Sequence, residues 1–188
     1  MFLDLTQNTH HNVYSYLVGG ISPRPIAWVS TLSEEGVANI APYSFFTVAS
    51  CNPPVLSVTQ VNPRDKANKD TLINLQATKN CVVNIVSEEL VEQMNQSCAN
   101  YCAQTSEFDA ANIDKTASKQ VSAPSAAAAK VRYECTLRDI ITISDEPGGG
   151  KVMLLNVVGI YINDDVLVNG YIDPIRLNTV GKMGGDYF

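Results

Sequence analysis

Apolar positions along the chain fall into short runs, broken by proline, glycine and acidic turns. Residues 13–17 predict a short helical turn that Gly19 and Gly20 release. Pro23-Arg24-Pro25 then fixes φ twice and removes two N–H donors, which suits the lead-in to a strand and not its middle. Residues 26–31, IAWVST, read as that strand, and residues 32–37, with Ser, two Glu and Gly, as a solvated hairpin turn. The returning segment, 38–48, is apolar apart from Asn39, Tyr43 and Ser44, and Pro42 predicts a bend or fray within it.

Further along, residues 54–60 and 81–86 read as strands. Between them, a polar loop at 62–68 leads to a helix over 70–77, with Asp70 as its N-cap and Leu72, Ile73 and Leu75 on its apolar side. Ser87 caps a second helix, whose stripe is Leu90, Val91, Met94 and Cys98. Glu107 opens an irregular region to Ala123. Residues 125–130 are alanine-rich, but Pro124 and the short length speak against a helix. In 131–144, Val131, Tyr133, Cys135, Leu137, Ile141 and Ile143 share one parity and Arg132, Glu134, Thr136 and Arg138 the other, the pattern of a half-exposed strand. Residues 145–150 form a hairpin loop. Residues 151–163 are apolar on both parities, so this strand is expected to be covered on both faces, one of them by a second subunit. Asp164-Asp165 turns the chain into 166–168. No internal repeat is apparent. Strands, two inserted helices and strands again predict a mainly β fold, an antiparallel barrel with helical excursions.

The 188 residues suffice for a single domain, 1–188, with a proper core. Hydrophobic content of 45% with 17% charged residues is ordinary globular composition. The net charge of −6 argues against nucleic acid or anionic membranes as partners, so an anionic ligand would need a local cluster of positive groups. Residues 1–12 show no basic start followed by an apolar run, and the longest apolar stretch, 152–162, is too short to span a bilayer. Five cysteines without a Cys-x-x-Cys pair fit reduced thiols in a cytoplasmic protein.

Catalytic side chains are scarce. Histidine occurs only at 10 and 11, read as a solvated pair, so a serine or cysteine triad lacks its base. No Gly-x-Gly-x-x-Gly follows a strand, the 145–150 loop is not a phosphate loop, and no carboxylate pair stands out. Cys98 and Cys102 stand four apart, but without further ligands they read as packed thiols. Such a domain is either a binder or an enzyme whose cofactor does the reacting. Its basic cluster is Arg64, Lys66 and Lys69, just before the helix. There the free N–H groups, Lys69 and the Thr71 hydroxyl could seat a phosphate, while Asp70 would compete with it; a solvated loop with an ordinary cap is the other reading.

Four motifs, taken together, resemble the flavin reductase-like family of FMN-binding split-barrel proteins, which includes flavoredoxins. They are PRPIAWVST at 23–31, NIAPYSFF at 39–46, KDTLIN at 69–74 and VGKMGGDY at 180–187. The resemblance runs from Tyr14 to Tyr187 and implies an antiparallel split β-barrel with inserted α-helices. It further implies an FMN-bound homodimer with each flavin in a groove near the interface, and NADH or NADPH as reductant. Carried over by position, Ser30, Thr31, Asn39, Ser44 and Phe45 would line the flavin and its ribityl chain. Ala41, Pro42 and Tyr43 would offer backbone and ring contacts, and Lys69 and Thr71, with Asp70 between them, would meet the phosphate. Lys182 stands where the family's closing motif usually has Arg, which keeps the charge but loses the bidentate fork. The implied activity is NAD(P)H-dependent flavin reduction; an FMN-carrying electron-transfer protein, or a split barrel binding another ligand, is the alternative. Trp28 is expected in the core, and Phe45 either there or at the flavin.

Overall fold

The computed structural model describes residues 2–7, 12–63, 68–99, 101–185 and 187–188. His10, His11, Arg64, Lys66 and Asp186 of the sequence reading lie outside them. Seven strands form one antiparallel sheet: β1 (Ala27–Leu32), β2 (Ala38–Tyr43), β3 (Phe46–Cys51), β4 (Pro54–Val61), β5 (Asn80–Ile85), β6 (Val131–Thr142) and β7 (Gly150–Ile162). Their order is β2-β1-β5-β6-β7-β4-β3. The two edges, β2 and β3, are consecutive in the chain and separated only by Ser44 and Phe45. At about 3.5 Å per residue, so short a link forces the sheet to curl until its edges come together. The Thr59 N–H tacks the corner by donating to the Phe45 carbonyl at 2.8 Å. The break in the returning strand therefore falls at Ser44-Phe45, while Pro42 stays in β2 opposite Trp28.

Inside the barrel, Ala27, Val29, Leu56, Val58, Val83, Met153 and Leu155 pack with Leu72 and Leu75 of helix α2 (Asp70–Thr78). Here α1 denotes Val13–Gly20 and α3 denotes Val91–Gln96. The buried side of α2 is Thr71, Leu72, Asn74 and Leu75, whereas Ile73, expected to share it, is 48% exposed. Outside the barrel, Trp28 and Ile40 pack with Val86, Leu90, Met94, Phe108 and Ile113. Strand β1 is thus buried on both faces, which explains its near-continuous apolar run.

Three expectations need correction. The second helix begins as a turn of 3₁₀ at Glu88–Leu90 and its α-helical part ends at Gln96, so Cys98 and Cys102 do not share its face. In β6 the ladder slips between the Asp139–Leu154 and Leu137–Leu155 pairs, with Arg138 as the extra residue. Inward parity therefore passes from Leu137 to Ile140, and Ile141 and Ile143 end up exposed. At the other end of β6, Arg132 and Glu134 are buried, because the segment 115–126 folds over that outer face. Strand β7 buries Met153 and Leu155 within the chain, but its other face, with Val152 and Leu154, is only half-buried. Among the described residues no helix is long and apolar enough to cross a membrane.

The seating of α2 can be checked by truncation. Leu72→Ala should lower unfolding stability by about 2–5 kcal/mol in urea titrations, whereas Ile73→Ala should stay within about 0.5 kcal/mol. Equal losses at both positions would mean that α2 does not sit as described.

Candidate functional site

The open edge of β2 organises the site. The Ile40 N–H points away from β1 and donates to Glu107 Oε2 at 3.2 Å. By the two-residue period of a strand, position 42 faces the same edge, and proline there has no N–H to leave unpaired. Beside this edge lies a cleft of about 120 Å³ lined by Asn39, Ala41, Pro42, Lys69, Asp70 and Thr71. Ser97, Cys98, Ala99, Tyr101 and Glu107 complete its wall.

A buried hydrogen-bond network ties the strand edge to the tip of α2. Asn39 Oδ1 accepts from Thr71 Oγ1 at 2.9 Å and from Thr31 Oγ1 at 3.4 Å, while Asn39 Nδ2 donates to Glu107 Oε1 at 2.8 Å. Asn74 Nδ2 donates to Thr31 Oγ1 at 3.1 Å. Both functions of the Asn39 amide are used, acceptor toward the hydroxyls and donor toward the carboxylate. Asp70 was expected to cap α2; instead Lys69 occupies the N-cap position with extended φ and ψ, its side chain makes no capping hydrogen bond, and Asp70 is the first helical residue. The carboxylate thus sits in the first turn, where it favours the helix dipole.

Trp28 is a core residue, fully buried, yet it shapes the cleft. Its Nε1 donates to Ser97 Oγ at 3.0 Å, and Ser97 Oγ donates to the Met94 carbonyl at 2.7 Å, which pins the start of the wall formed by residues 97–99 and Tyr101. Cys98, expected as a packed thiol, instead lines the cleft. Burial pushes its pKa up, while the positive charges of Lys69 and Lys182 oppose that shift. Lys69 lines the cleft and the charge of Lys182 reaches its Cys98 wall, in a chain with net charge −6. Lys69 Nζ lies 5.4 Å from the Tyr43 ring centroid. The Tyr43 phenol is held neutral, chiefly by burial, with the charges of Asp70 and Glu107 adding to it and Thr71 opposing. Burial likewise raises the pKa of Glu107; hydrogen bonds from its own N–H, the Ile40 N–H and the Asn39 amide pull it down, and the Asp70 charge pushes it up.

Of the positions picked from the sequence, Asn39, Ala41, Pro42, Lys69, Asp70 and Thr71 meet at the cleft. Tyr43 lies beneath it in the barrel core. Ser44 and Phe45 line a different hollow, of about 400 Å³, together with Leu17, Ile21 and Arg24. Ser30 and Thr31 do not reach the cleft: strand alternation sends Ser30 to the outer face, where it donates to the Pro124 carbonyl, and Thr31 inward to Asn74. Glu107 and the wall of residues 97–99 and Tyr101 escaped the sequence reading, since nothing local ties a lone Glu or a Ser-Cys-Ala run to a strand about 60 residues earlier. The closing motif meets the Pro-Arg-Pro motif in space, with Arg24 paired to Lys182 and Pro25 to Gly181. A Cβ at Gly181 would fall 2.9 Å from Pro23 Cβ, so only glycine permits this approach. Buried Arg24 locks the junction, donating to the carbonyls of Val18, Ile21 (2.9 Å) and Met183 (3.1 Å) and to Ser44 Oγ (3.3 Å). Among the described residues no group of three or more His, Cys, Asp or Glu is placed to hold a metal.

An antiparallel barrel split at one edge is a fold this chain shares with flavin reductase-like proteins. The chain belongs to the flavin reductase-like family, whose domain model, "Flavin reductase like domain", it matches over residues 19–174. An uncharacterized protein of Aquifex aeolicus is 37% identical over 177 residues, covering 94% of this chain and 88% of that one. Among solved structures, nitrilotriacetate monooxygenase component B from Bacillus cereus has a TM-score of 0.91 at 30% identity, covering 98% of this chain and 92% of that chain. The Pseudomonas fluorescens 2-nitrobenzoate 2-nitroreductase NbaA has a TM-score of 0.87 at 27% identity, covering 99% and 89%.

The buried acid sets a pH test. With the Glu107 pKa above its unfolded value, the native state binds more protons between the two, so stability should fall as pH rises through that window. Urea unfolding of wild type and Glu107→Gln from pH 4 to 7 should diverge in the wild-type curve alone; parallel curves would remove Glu107 as the source.

Proposed function

We propose that the protein is an FMN-dependent oxidoreductase that takes hydride from NADH or NADPH and passes electrons to free flavin or another small acceptor. The observation that carries this reading is the meeting of the β2 edge and the lysine-led tip of α2 at one cleft within a flavin reductase-like fold. The residues present fit FMN. Lys69 and the first-turn N–H groups of α2 offer a cationic, donor-rich seat for a phosphate, while the Thr71 hydroxyl, donating to Asn39, holds that tip in place. The β2 edge, with Ala41 and Pro42, offers a flat backbone surface for a ring. Asn39 and Thr71 are held in place by their mutual hydrogen bond, so their positions are set before any ligand arrives.

A bound flavin would supply the hydride and electron chemistry, consistent with the scarcity of acid–base side chains. The chain's own groups position and tune. Glu107, held by the Asn39 amide and the Ile40 N–H, fixes the cleft wall beside the β2 edge. The Trp28–Ser97 hydrogen bond keeps the opposite wall from collapsing.

We infer a homodimer as the working unit. A cleft of about 120 Å³ is smaller than the roughly 300–1,000 Å³ typical of sites that enclose a ligand, so a second surface is needed to cover a flavin. The strip formed by Ile141, Val152 and Leu154 on the outer face of β6 and β7 leaves apolar area for a second copy.

Lys69→Ala should weaken FMN binding by about tenfold to a hundredfold while leaving riboflavin, which lacks the phosphate, nearly unchanged in fluorescence-quenching titrations. Equal loss for both ligands would remove the phosphate seat. In parallel, NADH and NADPH oxidation is followed with and without free FMN. Turnover that depends on flavin supports the reductase; tight FMN without NAD(P)H oxidation would replace it with an electron carrier, and a protein that ignores FMN would overturn the flavin reading altogether.

A further inference from the structure

A second pocket lies on the outer face of the barrel, three strands away from the edge that lines the cleft. It has a volume of about 380 Å³ and is lined in part by Ser125, Arg132, Glu134, Gly159 and Tyr161. Arg132 is only 7% exposed, yet among the described residues its side chain makes no hydrogen bond and no ion pair, and its Nε is buried without a partner. Its one interaction is with the Tyr161 ring, whose centroid lies 3.6 Å from the guanidinium carbon. Arg132 and Tyr161 are direct cross-strand partners on β6 and β7, so the stack is fixed by register and not by chance contact of two surface side chains.

The pocket around this arginine is built. Glu134, two residues along the same face, is fully engaged by the segment that folds over it: the Lys119 N–H donates to both carboxylate oxygens, at 2.9 and 3.0 Å, and the Gln120 N–H to one of them. Glycine at 159 allows that approach, since a Cβ there would stand 3.3 Å from Gln120 Cγ. Glu134 therefore holds the wall and is not the counter-ion of Arg132. A buried guanidinium normally has most of its five donors satisfied; here Nε is buried without an acceptor while the two Nη groups keep accessible surface, which leaves room for an acceptor from outside the fold.

We propose that this pocket binds a small organic monocarboxylate, with the carboxylate meeting the guanidinium of Arg132 edge-on. Tyr161 stacks against one face of the guanidinium plane and leaves the N–H edge for a planar, two-oxygen acceptor. Arg132 and Lys119 bring two positive charges to the wall and Glu134 one negative, and this single net positive charge favours a monoanion over a dianion such as phosphate. A carboxylate from a second copy of the chain fits less well: the apolar strip proposed for the dimer centres on Val152, nine residues along β7 from Tyr161, or about 30 Å.

The test follows the Arg132 Nε–H resonance in ¹⁵N-labelled full-length protein titrated with butyrate, with inorganic phosphate and with chloride at matched ionic strength. The resonance should shift saturably with butyrate and little with phosphate. The shift should persist in Lys69→Ala, which separates this pocket from the flavin cleft, and calorimetric affinity for butyrate should fall at least about tenfold in Arg132→Gln. A resonance that butyrate does not move, or that phosphate moves equally, overturns the assignment. So does an Arg132→Gln protein that turns from dimer to monomer in sedimentation while the wild type ignores butyrate, because the acceptor would then be the second copy.

Discussion

Two residues of chain join the edges of a seven-stranded sheet, and most of the architecture follows from that shortage. Ser44 and Phe45 cannot span an open sheet, so β2 and β3 are drawn toward one another and the barrel closes at this seam. Closure leaves the outward edge of β2 without a strand partner. An unpaired edge normally invites another chain, and here it is managed locally: Glu107 takes the Ile40 N–H, and Pro42 has none to expose. The edge is thereby kept from further pairing and remains available as a flat backbone surface. The split of the barrel and the candidate site are the same feature.

Polar groups at that seam are organised around Asn39. Its amide can face the hydroxyls of Thr31 and Thr71 only by turning its nitrogen toward Glu107, so helix tip, strand edge and the 107–110 turn hold one another in register. Buried networks of this kind stabilise little in net terms but penalise any misplacement of their members. Lys69 and Lys182 then set a positive local field in a chain that is acidic overall, an arrangement that concentrates charge recognition at the cleft and leaves the rest of the surface repulsive to polyanions.

Much of this was legible in the sequence. Apolar alternation located the strands of the barrel and the helix after Lys69 was readable from its apolar spacing, but the break expected at Pro42 falls at Ser44-Phe45, because Pro42 sits on the open edge of β2 where no N–H is needed. Six of the eleven picked positions meet at the cleft because they lie on just two elements, β2 and the tip of α2, whose junction the family motifs already encode. What escaped is non-local. The slip at Arg138 depends on the neighbouring strand's register, and the sequence of β6 alone gives Ile141 the inward parity it does not keep. Ser30 and Thr31 carry the right chemistry for a ligand, but adjacent residues of a strand face opposite ways and neither way leads to the cleft. Glu107 had no local pattern to mark it; only the three-dimensional approach of its turn to β2 gives the carboxylate its partners.

The two buried arginines show how far the fold completes its own polar interactions. Arg24 and Arg132 are nearly equally buried, at 6% and 7% exposure, and each sits on a strand under a covering segment. Arg24 finds three backbone carbonyls and a hydroxyl, because the C-terminal end of α1 and the closing motif converge on it with unused acceptors. Arg132 meets an aromatic face and a carboxylate already committed to the Lys119 and Gln120 N–H groups. Covering segments of one chain can thus satisfy a guanidinium fully when their carbonyls point inward. Beside Arg132 the 115–126 segment presents the Lys119 and Gln120 N–H groups, donors facing a donor, while its Pro124 carbonyl is spent on Ser30. The surplus of donors is local and directional, so a group that balanced it would bring acceptor oxygens and negative charge.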